Sequence, residues 1–384
     1  PNVPDDLNLV IESLLEKDPK KRPGSGYRVA EALRAVKARV ASLSASQRGG
    51  GPAQQGLLAD GPANPARLAR RWELQLSDGP QWPAGLTAVK GFLLVGLRSE
   101  EVWVLHPVDG STQARFSASD EVNSSVVWQE DTLYYSSRDG GLYALRWPSG
   151  EAYWEDREAG VVGSLVPYGG GLLLASGEGS LEERSVAGET LRYYSAGEPF
   201  GTAPVVHRGE IFAITRSGWL HGVDAGTFKG RFKTQIGEIV TQPAAKDGIL
   251  LLPERTGDLH AFSLEARELL WSYDTEGQLW ASPLAWQHYA FVASWAGVMR
   301  CLSLKTGDDI WEFDLGARVT ATPVIAGGAL YCVTEGGELV VLDARLGSLF
   351  YRDSVSSSPL QASPVVIGDT VVVAALNGTV RAYR

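Results

Sequence analysis

Cysteine is nearly absent. The chain has two, Cys301 and Cys332, in 384 residues, too few for a disulfide framework. Buried free thiols in a reducing compartment are the expectation. No apolar run approaches the roughly 18 residues of a membrane span, so no membrane partner is expected. Nothing has zinc-ligand spacing; His221 and His260 fill the slot that Tyr143 holds in another copy of a repeat described below, and read as packing residues. Positive charge is scarce where most of the chain lies. Residues 1–70 hold 11 Lys/Arg against 7 Asp/Glu, and the remainder 24 against 38, which gives the total of −10. An acidic body repels phosphate backbones at long range, which argues against nucleic acid. The chain begins Pro1-Asn2 with neither signal peptide nor initiator Met, so a fragment of a longer cytoplasmic protein is expected. With 44% hydrophobic and 21% charged residues it can build a large core.

What is present is a repeat. Five segments open with a small polar or Ala residue followed by proline, at Pro204, Pro243, Pro283, Pro323 and Pro364, and the same stride backward reaches Leu165, Ser125 and Leu86. The intervals are 39, 40, 39, 39, 40, 40 and 41 residues, the period of a β-propeller blade. Each copy carries short apolar runs such as 211–214 and 290–293. A tight turn follows the second run, as at Asp139-Gly140-Gly141, Ser217-Gly218, Thr256-Gly257 or Asn377-Gly378. Both central residues of such two-residue hairpins need positive φ, which Asn-Gly and Asp-Gly supply. A Gly turn at Gly150, Gly226, Gly307 or Gly347 leads to an outer strand that carries Trp154, Trp271 and Trp311 in three copies. Four short strands per copy read as one antiparallel blade.

The ends complete the ring. The eighth copy stops at Arg384 after its third strand, whereas Arg71-Trp72-Glu73-Leu74-Gln75-Leu76 is a lone outer-strand pattern upstream of the first copy. Borrowing that strand removes an exposed edge. The expected fold is all-β: an eight-bladed β-propeller over 71–384, preceded by a short helical hairpin.

Residues 1–43 differ. Leu7, Val10, Ile11, Leu14 and Leu15 share a helical face, Asp18-Pro19 stops that helix, and a second runs through Tyr27, Ala30, Leu33 and Val36. The stretch Leu14-Leu15-Glu16-Lys17-Asp18-Pro19-Lys20-Lys21-Arg22-Pro23 resembles the closing segment of a bacterial Hanks-type serine/threonine kinase domain. That resemblance implies that Arg22 pairs with the glutamate of the Ala-Pro-Glu motif and locks the base of the C-lobe. The Gly-rich loop, Val-Ala-Ile-Lys, His-Arg-Asp and Asp-Phe-Gly are missing, so this chain cannot transfer phosphate by itself. Residues 44–70, rich in Ala, Gly, Pro and Gln, are expected to be a flexible tether to the kinase partner domain.

Leu142-Tyr143-Ala144-Leu145 with Ser149-Gly150 and Trp154, and Leu302-Ser303-Leu304-Lys305-Thr306-Gly307 with Trp311, resemble pyrroloquinoline-quinone-type propeller repeats. In that family the outer-strand Trp docks neighbouring blades. The whole chain is similar to the C-terminal part of bacterial proteins joining a Hanks kinase to such a propeller, which implies a sensor with the quinone as candidate ligand. The residues themselves offer two convergent sets. Arg98, Arg138, Arg216 and Arg255 recur at the end of the second strand, and guanidinium forks match carboxylates. Ser124, Ser164, Gln242, Ser282, Thr322 and Ser363 precede the Pro position and are expected to ring the channel. Trp82, Trp280 and Trp295 lie near the same face and could stack on a flat ligand. Set against this, turn-side Arg is commonly a solvated rim residue, Trp a blade-packing residue, and inner hydroxyls serve backbone groups. Two other functions stay open. One is a protein-interaction scaffold without a small ligand. The other is a quinoprotein dehydrogenase, whose family signature includes a vicinal disulfide, a calcium site and a catalytic Asp; Cys301 and Cys332 lie too far apart in sequence to form that disulfide ring.

Overall fold

The computed structural model describes residues 57–58, 61–80, 85–89, 91–118, 120–239 and 241–384. The helical hairpin expected over 1–43, with Arg22, and Trp82 fall outside them. Those residues form eight four-stranded antiparallel sheets, one of them carrying an added strand. In chain order, blades 1 to 7 begin at Leu86, Val127, Val161, Val205, Ala244, Leu284 and Val324; blade 8 begins at Val365.

Burial follows the layering. The second strands Thr132–Ser136, Glu210–Ile214, Ile249–Pro253, Ala329–Val333 and Thr370–Ala374 are buried at every position, because a neighbouring blade covers each face. The outer strands Gly230–Gln235 and Asp309–Asp314 alternate between exposed and half-buried residues, with one face on the seam and one in water. Apolar clusters fill the seams between successive blades, as between Leu284 and Ile325 of blades 6 and 7. Leu86 and Val95 of blade 1 meet Val372 and Val380 of blade 8 in the same way. The core is therefore a closed ring of seams.

The predicted closure is observed. Arg70–Gln75 pairs antiparallel with Thr379–Tyr383 as the outer strand of blade 8, with Trp72 opposite Ala382 and Glu73 opposite Arg381. Arg381 donates from Nε to Glu73 Oε2 at 2.6 Å and from Nη1 to the Ser354 carbonyl of blade 7 at 2.8 Å. The outer-strand indoles dock as the resemblance implies. Trp72 Nε1 donates to the Pro107 carbonyl at 2.8 Å, Trp154 to Val186 at 2.8 Å, Trp271 to Leu304 at 3.1 Å and Trp311 to Ala344 at 3.3 Å. Each ring lies over a glycine of the next blade's outer turn. A Cβ on Gly110 (φ +72°) would come within 2.7 Å of the Trp72 ring; glycine is required there for both reasons.

Part of the stretch expected to be a free tether is seated on the propeller. Leu57–Leu58 pairs in parallel with Val324–Ala326, the innermost strand of blade 7, on its channel edge. The next described residue, Gly61, packs so closely on Ala326 that a Cβ would stand 2.9 Å from the Ala326 Cβ. Leu68 is buried in the seam between blades 7 and 8. The physical reason is the free edge: an innermost strand leaves one row of backbone N–H and C=O groups unpaired, and a passing segment needs no side-chain pattern to use it.

Candidate functional site on the upper face

The turns joining second to third strands share one face, here the upper, with the connections that lead from each outer strand to the next blade. A backbone hydrogen bond ties these two loops together in blade after blade. Arg138 N donates to Glu121 O at 3.0 Å, Arg216 to Pro199 at 2.8 Å, Arg255 to Glu238 at 3.1 Å, Trp295 to Gln278 at 2.8 Å and Glu335 to Arg318 at 2.8 Å. These residues occupy one position of the repeat. The predicted Arg set thus lies on one face, and blades 6 and 7 place Trp295 and Glu335 where blades 4 and 5 place arginines.

The four arginines have different surroundings. Arg98 is exposed and makes no ion pair among the described residues. Arg138, whose side chain is 76% exposed, reaches Glu121 at 3.1 Å. Arg216 lies against blade 3, its Nη2 4.0 Å from where a Gly177 Cβ would be. Arg255 meets Glu238 at 3.3 Å and lies 6.0 Å from the Trp280 ring centre. Trp280 and Trp295, both half-buried, are 6.1 Å apart and inclined by 53°. Trp280 is steered by its own Nε1 donating to Gln278 Oε1 at 3.2 Å. Arg318, which sequence reasoning passed over, lies 4.9 Å from the Trp295 ring. Arg255, Trp280, Trp295 and Arg318 therefore make a row of cation, indole, indole and cation across blades 5 to 7. Arg318 is not periodic; the signal available was that its connection shares a face with the second-strand turns.

The inner hydroxyls sit deeper. Ser124, Ser164, Ser282, Thr322 and Ser363 are buried. Ser124 Oγ accepts from Ser136 N at 2.9 Å and Thr322 Oγ1 from Ser282 N at 3.2 Å, so both serve backbone donors. Gln242 is 8% exposed; its Nε2 donates to Pro204 O at 3.4 Å while its Oε1 has no partner. Gln242 and Thr322 thus lie in the polar wall of the innermost strands, not in the indole row.

His221 packs as predicted. It is buried, its Nδ1 lies 2.9 Å from Tyr194 Oη, and burial pushes its pKa below the usual imidazole range. His260 stands differently: its Nε2 lies 2.8 Å from Glu254 Oε2 and its Nδ1 2.8 Å from Ser272 Oγ. Both cysteines are free and buried. Burial pushes the Cys301 thiol up to about 12 and moves Cys332 in the same direction. No helix among the described residues is long and apolar enough to cross a membrane.

Blades docked by an outer-strand indole on the next blade's glycine turn, closed by an N-terminal strand, define a β-propeller of pyrroloquinoline-quinone-like repeats. A family model described as outer membrane protein assembly factor BamB matches residues 64–273 and 294–384, and the chain belongs to that family. Among curated proteins it is 31% identical over 362 residues to the DNA damage-responsive serine/threonine-protein kinase RqkA of Deinococcus radiodurans, covering 85% of this chain and 54% of the kinase. The chain thus spans about half of that relative. It is 22% identical to BamB of Shewanella oneidensis over 79% of the chain and 72% of that protein. The crystal structure of BamB from Moraxella catarrhalis superposes with a TM-score of 0.69 at 17% identity, over 83% of this chain and all of that one. A quinohemoprotein alcohol dehydrogenase from Pseudomonas putida superposes at 0.72 with 12% identity, over 90% and 81%. These likenesses show the fold. The described residues form a propeller and not a catalytic kinase fold.

Proposed function

We propose that the chain is the regulatory propeller of a cytoplasmic bacterial serine/threonine kinase, and that its upper face senses a small planar anion, with pyrroloquinoline quinone as the candidate. The similarity to RqkA over 85% of the chain supports the kinase context. The observation that carries the ligand reading is the row Arg255, Trp280, Trp295 and Arg318. Two half-buried indoles offer stacking surfaces, and the guanidinium at each end suits a carboxylate. This chemistry fits a flat tricarboxylate in an otherwise acidic body, where free cations are few. Blade 7 supplies a route for coupling. The innermost strand runs from the upper to the lower face, and Leu57–Leu58 runs parallel to it, so Leu57 is the upper end of this seated segment. A ligand that prefers the state with this segment displaced, or seated, shifts the arrangement of the attached kinase domain.

The test is titration calorimetry of the quinone on this chain, with Trp280→Ala and Arg318→Gln as variants and the triple replacement of Arg98, Arg138 and Arg216 for comparison. Binding weakened at least tenfold by the first two supports the indole row. No heat at high micromolar quinone, or affinity unchanged in both variants, removes the ligand reading. A docking scaffold with no small ligand is the second reading, favoured by Leu269, Leu270, Ile310 and Leu349, which stand 43–53% exposed on the outer strands of blades 5 to 7. A quinoprotein dehydrogenase is disfavoured, since Cys301 and Cys332 sit unpaired on different blades inside the core.

A further inference from the structure

Glu254 stands at a slot where four other blades carry a buried Ser or Thr. It is the last residue before the second-to-third strand turn of blade 5, and its N–H closes that turn on the Asp258 carbonyl at 2.8 Å. The same bond closes the turn from Ser137, Thr215, Ser294, Thr334 and Ala375 in five other blades, at 2.9–3.1 Å. Where the residue is Ser or Thr it is buried, at 0–1% exposure. Thr215 Oγ1 caps Trp219 N at 3.1 Å, and Thr334 Oγ1 caps Glu338 N at 3.4 Å. Four blades thus hold a small hydroxyl at this slot, and blade 8 an alanine. Blade 5 instead holds a carboxylate whose side chain is only 23% exposed, and a half-buried charge costs desolvation unless it is compensated.

The compensation is not a lysine or arginine. Among the described residues Glu254 pairs only with His260, and Asp258 has no ion pair; the neighbouring Arg255 turns away to Glu238 and Trp280. Ligand atoms of Glu254, Asp258 and His260 all lie within 4.8 Å of one another. Two carboxylates so close repel each other unless a cation stands between them. His260 is prepared for one. Ser272 Oγ, 2.8 Å from Nδ1, can accept a hydrogen bond from an Nδ1–H and so leave the Nε2 lone pair free, the outer-shell bond that fixes a ligating imidazole.

We propose that Glu254, Asp258 and His260 form a site for a divalent cation of the Zn2+ class, bound by two carboxylate oxygens and one imidazole nitrogen, with water completing the shell. Bonds of about 2.1 Å put tetrahedral donors roughly 3.4 Å apart, so the two carboxylates must close by side-chain rotation on a hairpin whose backbone is already fixed. A single imidazole with two carboxylates favours Zn2+ or Mn2+ over Ca2+, which takes six to eight oxygens. The site adjoins Arg255 but shares no ligand with the indole row, so it stands whether or not that row binds an anion.

The experiment is titration calorimetry of ZnCl2 into the full chain, with CaCl2 as the hard-cation control and Co2+ absorption to report donor geometry. Glu254→Thr introduces the residue that blades 4 and 7 carry at this slot and should keep the melting temperature. Asp258→Asn leaves the His260–Glu254 hydrogen bond intact, so a role as a plain ion pair would not register it. The proposal expects one tight Zn2+ per chain, and at least tenfold weaker binding in Glu254→Thr, Asp258→Asn and His260→Gln. Absence of stoichiometric Zn2+ binding overturns it, as does affinity unchanged in Asp258→Asn or in His260→Gln.

Discussion

Replacing Trp72 by Ala tests whether the ring is held where its two ends meet. Trp72 is 9% exposed, its Nε1 donates to Pro107 O at 2.8 Å, and its ring covers Gly110. Truncating a buried aromatic to Ala costs about 3–5 kcal/mol, and the orphaned carbonyl adds roughly 1 kcal/mol. At about 2 °C per kcal/mol for a domain of this size, the melting temperature should fall by about 8–12 °C. The location matters as much as the magnitude. Trp154 makes the same bond to Val186 O at 2.8 Å, but its strand follows directly from the rest of blade 2. Arg70–Gln75 comes from the far end of the chain, so weakening it bares the edge of Thr379–Tyr383. Thermal unfolding by circular dichroism and amide exchange over 379–383 should therefore respond together in Trp72→Ala, whereas Trp154→Ala leaves 379–383 protected. Unchanged exchange there, or a melting shift under about 2 °C, would refute the closure argument.

Three further outcomes follow from the geometry. The Asp224 carboxyl is held down at about 2 by the Thr227 N–H, the Thr227 hydroxyl and Arg231. Its folded pKa lies below the unfolded value of about 3.9, so its stabilisation is present above that value and fades as pH falls from about 4 to 2. Melting curves of Asp224→Asn should lie below wild type at pH 6 and converge with it at pH 2; a gap that does not close counts against the account. Cys301 and Cys332 are 0–1% exposed with thiols shifted upward by burial, so maleimide at pH 8 should label neither until the protein unfolds. Rapid native labelling would contradict this. Gly61→Val forces a side chain into Ala326, so protease cleavage between residues 55 and 62 should accelerate with little loss of melting temperature; cleavage as slow as wild type would mean the contact does not hold the segment.

Blade number and closure were legible because both are written in local, repeated chemistry. Turns that need Gly at positive φ recur at a fixed stride, and Trp72 sits in an outer-strand pattern with no blade of its own. The seat of Leu57–Leu58 was not legible, because an Ala-, Gly- and Pro-rich stretch shows no alternation and its pairing is between backbones alone. The face of the arginines was legible, and so was the nearness of Trp280 to Trp295. Arg318 was missed because attention to period hides what occurs once. His260 was read by the slot it shares with Tyr143, and that slot says nothing about Glu254, six residues earlier and reached only when the hairpin folds back.

A repeat protein carries its own control. Where the period requires a residue, that residue reports on the fold: Trp72 over Gly110, Trp311 over Gly347, and Thr215 and Thr334 capping their turns. Where one copy departs from what its siblings use, the fold has no need of the change. Departures occur around the whole ring: blade 8 places Ala375 at the hydroxyl slot and Leu376 at the arginine position, so a departure alone says nothing about function. What sets blades 5 to 7 apart is that their departures touch one another. Arg255, Trp280, Trp295 and Arg318 lie in a row, Glu254 meets His260, and the channel edge of blade 7 receives Leu57–Leu58. Contact among the exceptions, rather than their number, is what a face that binds and reports requires.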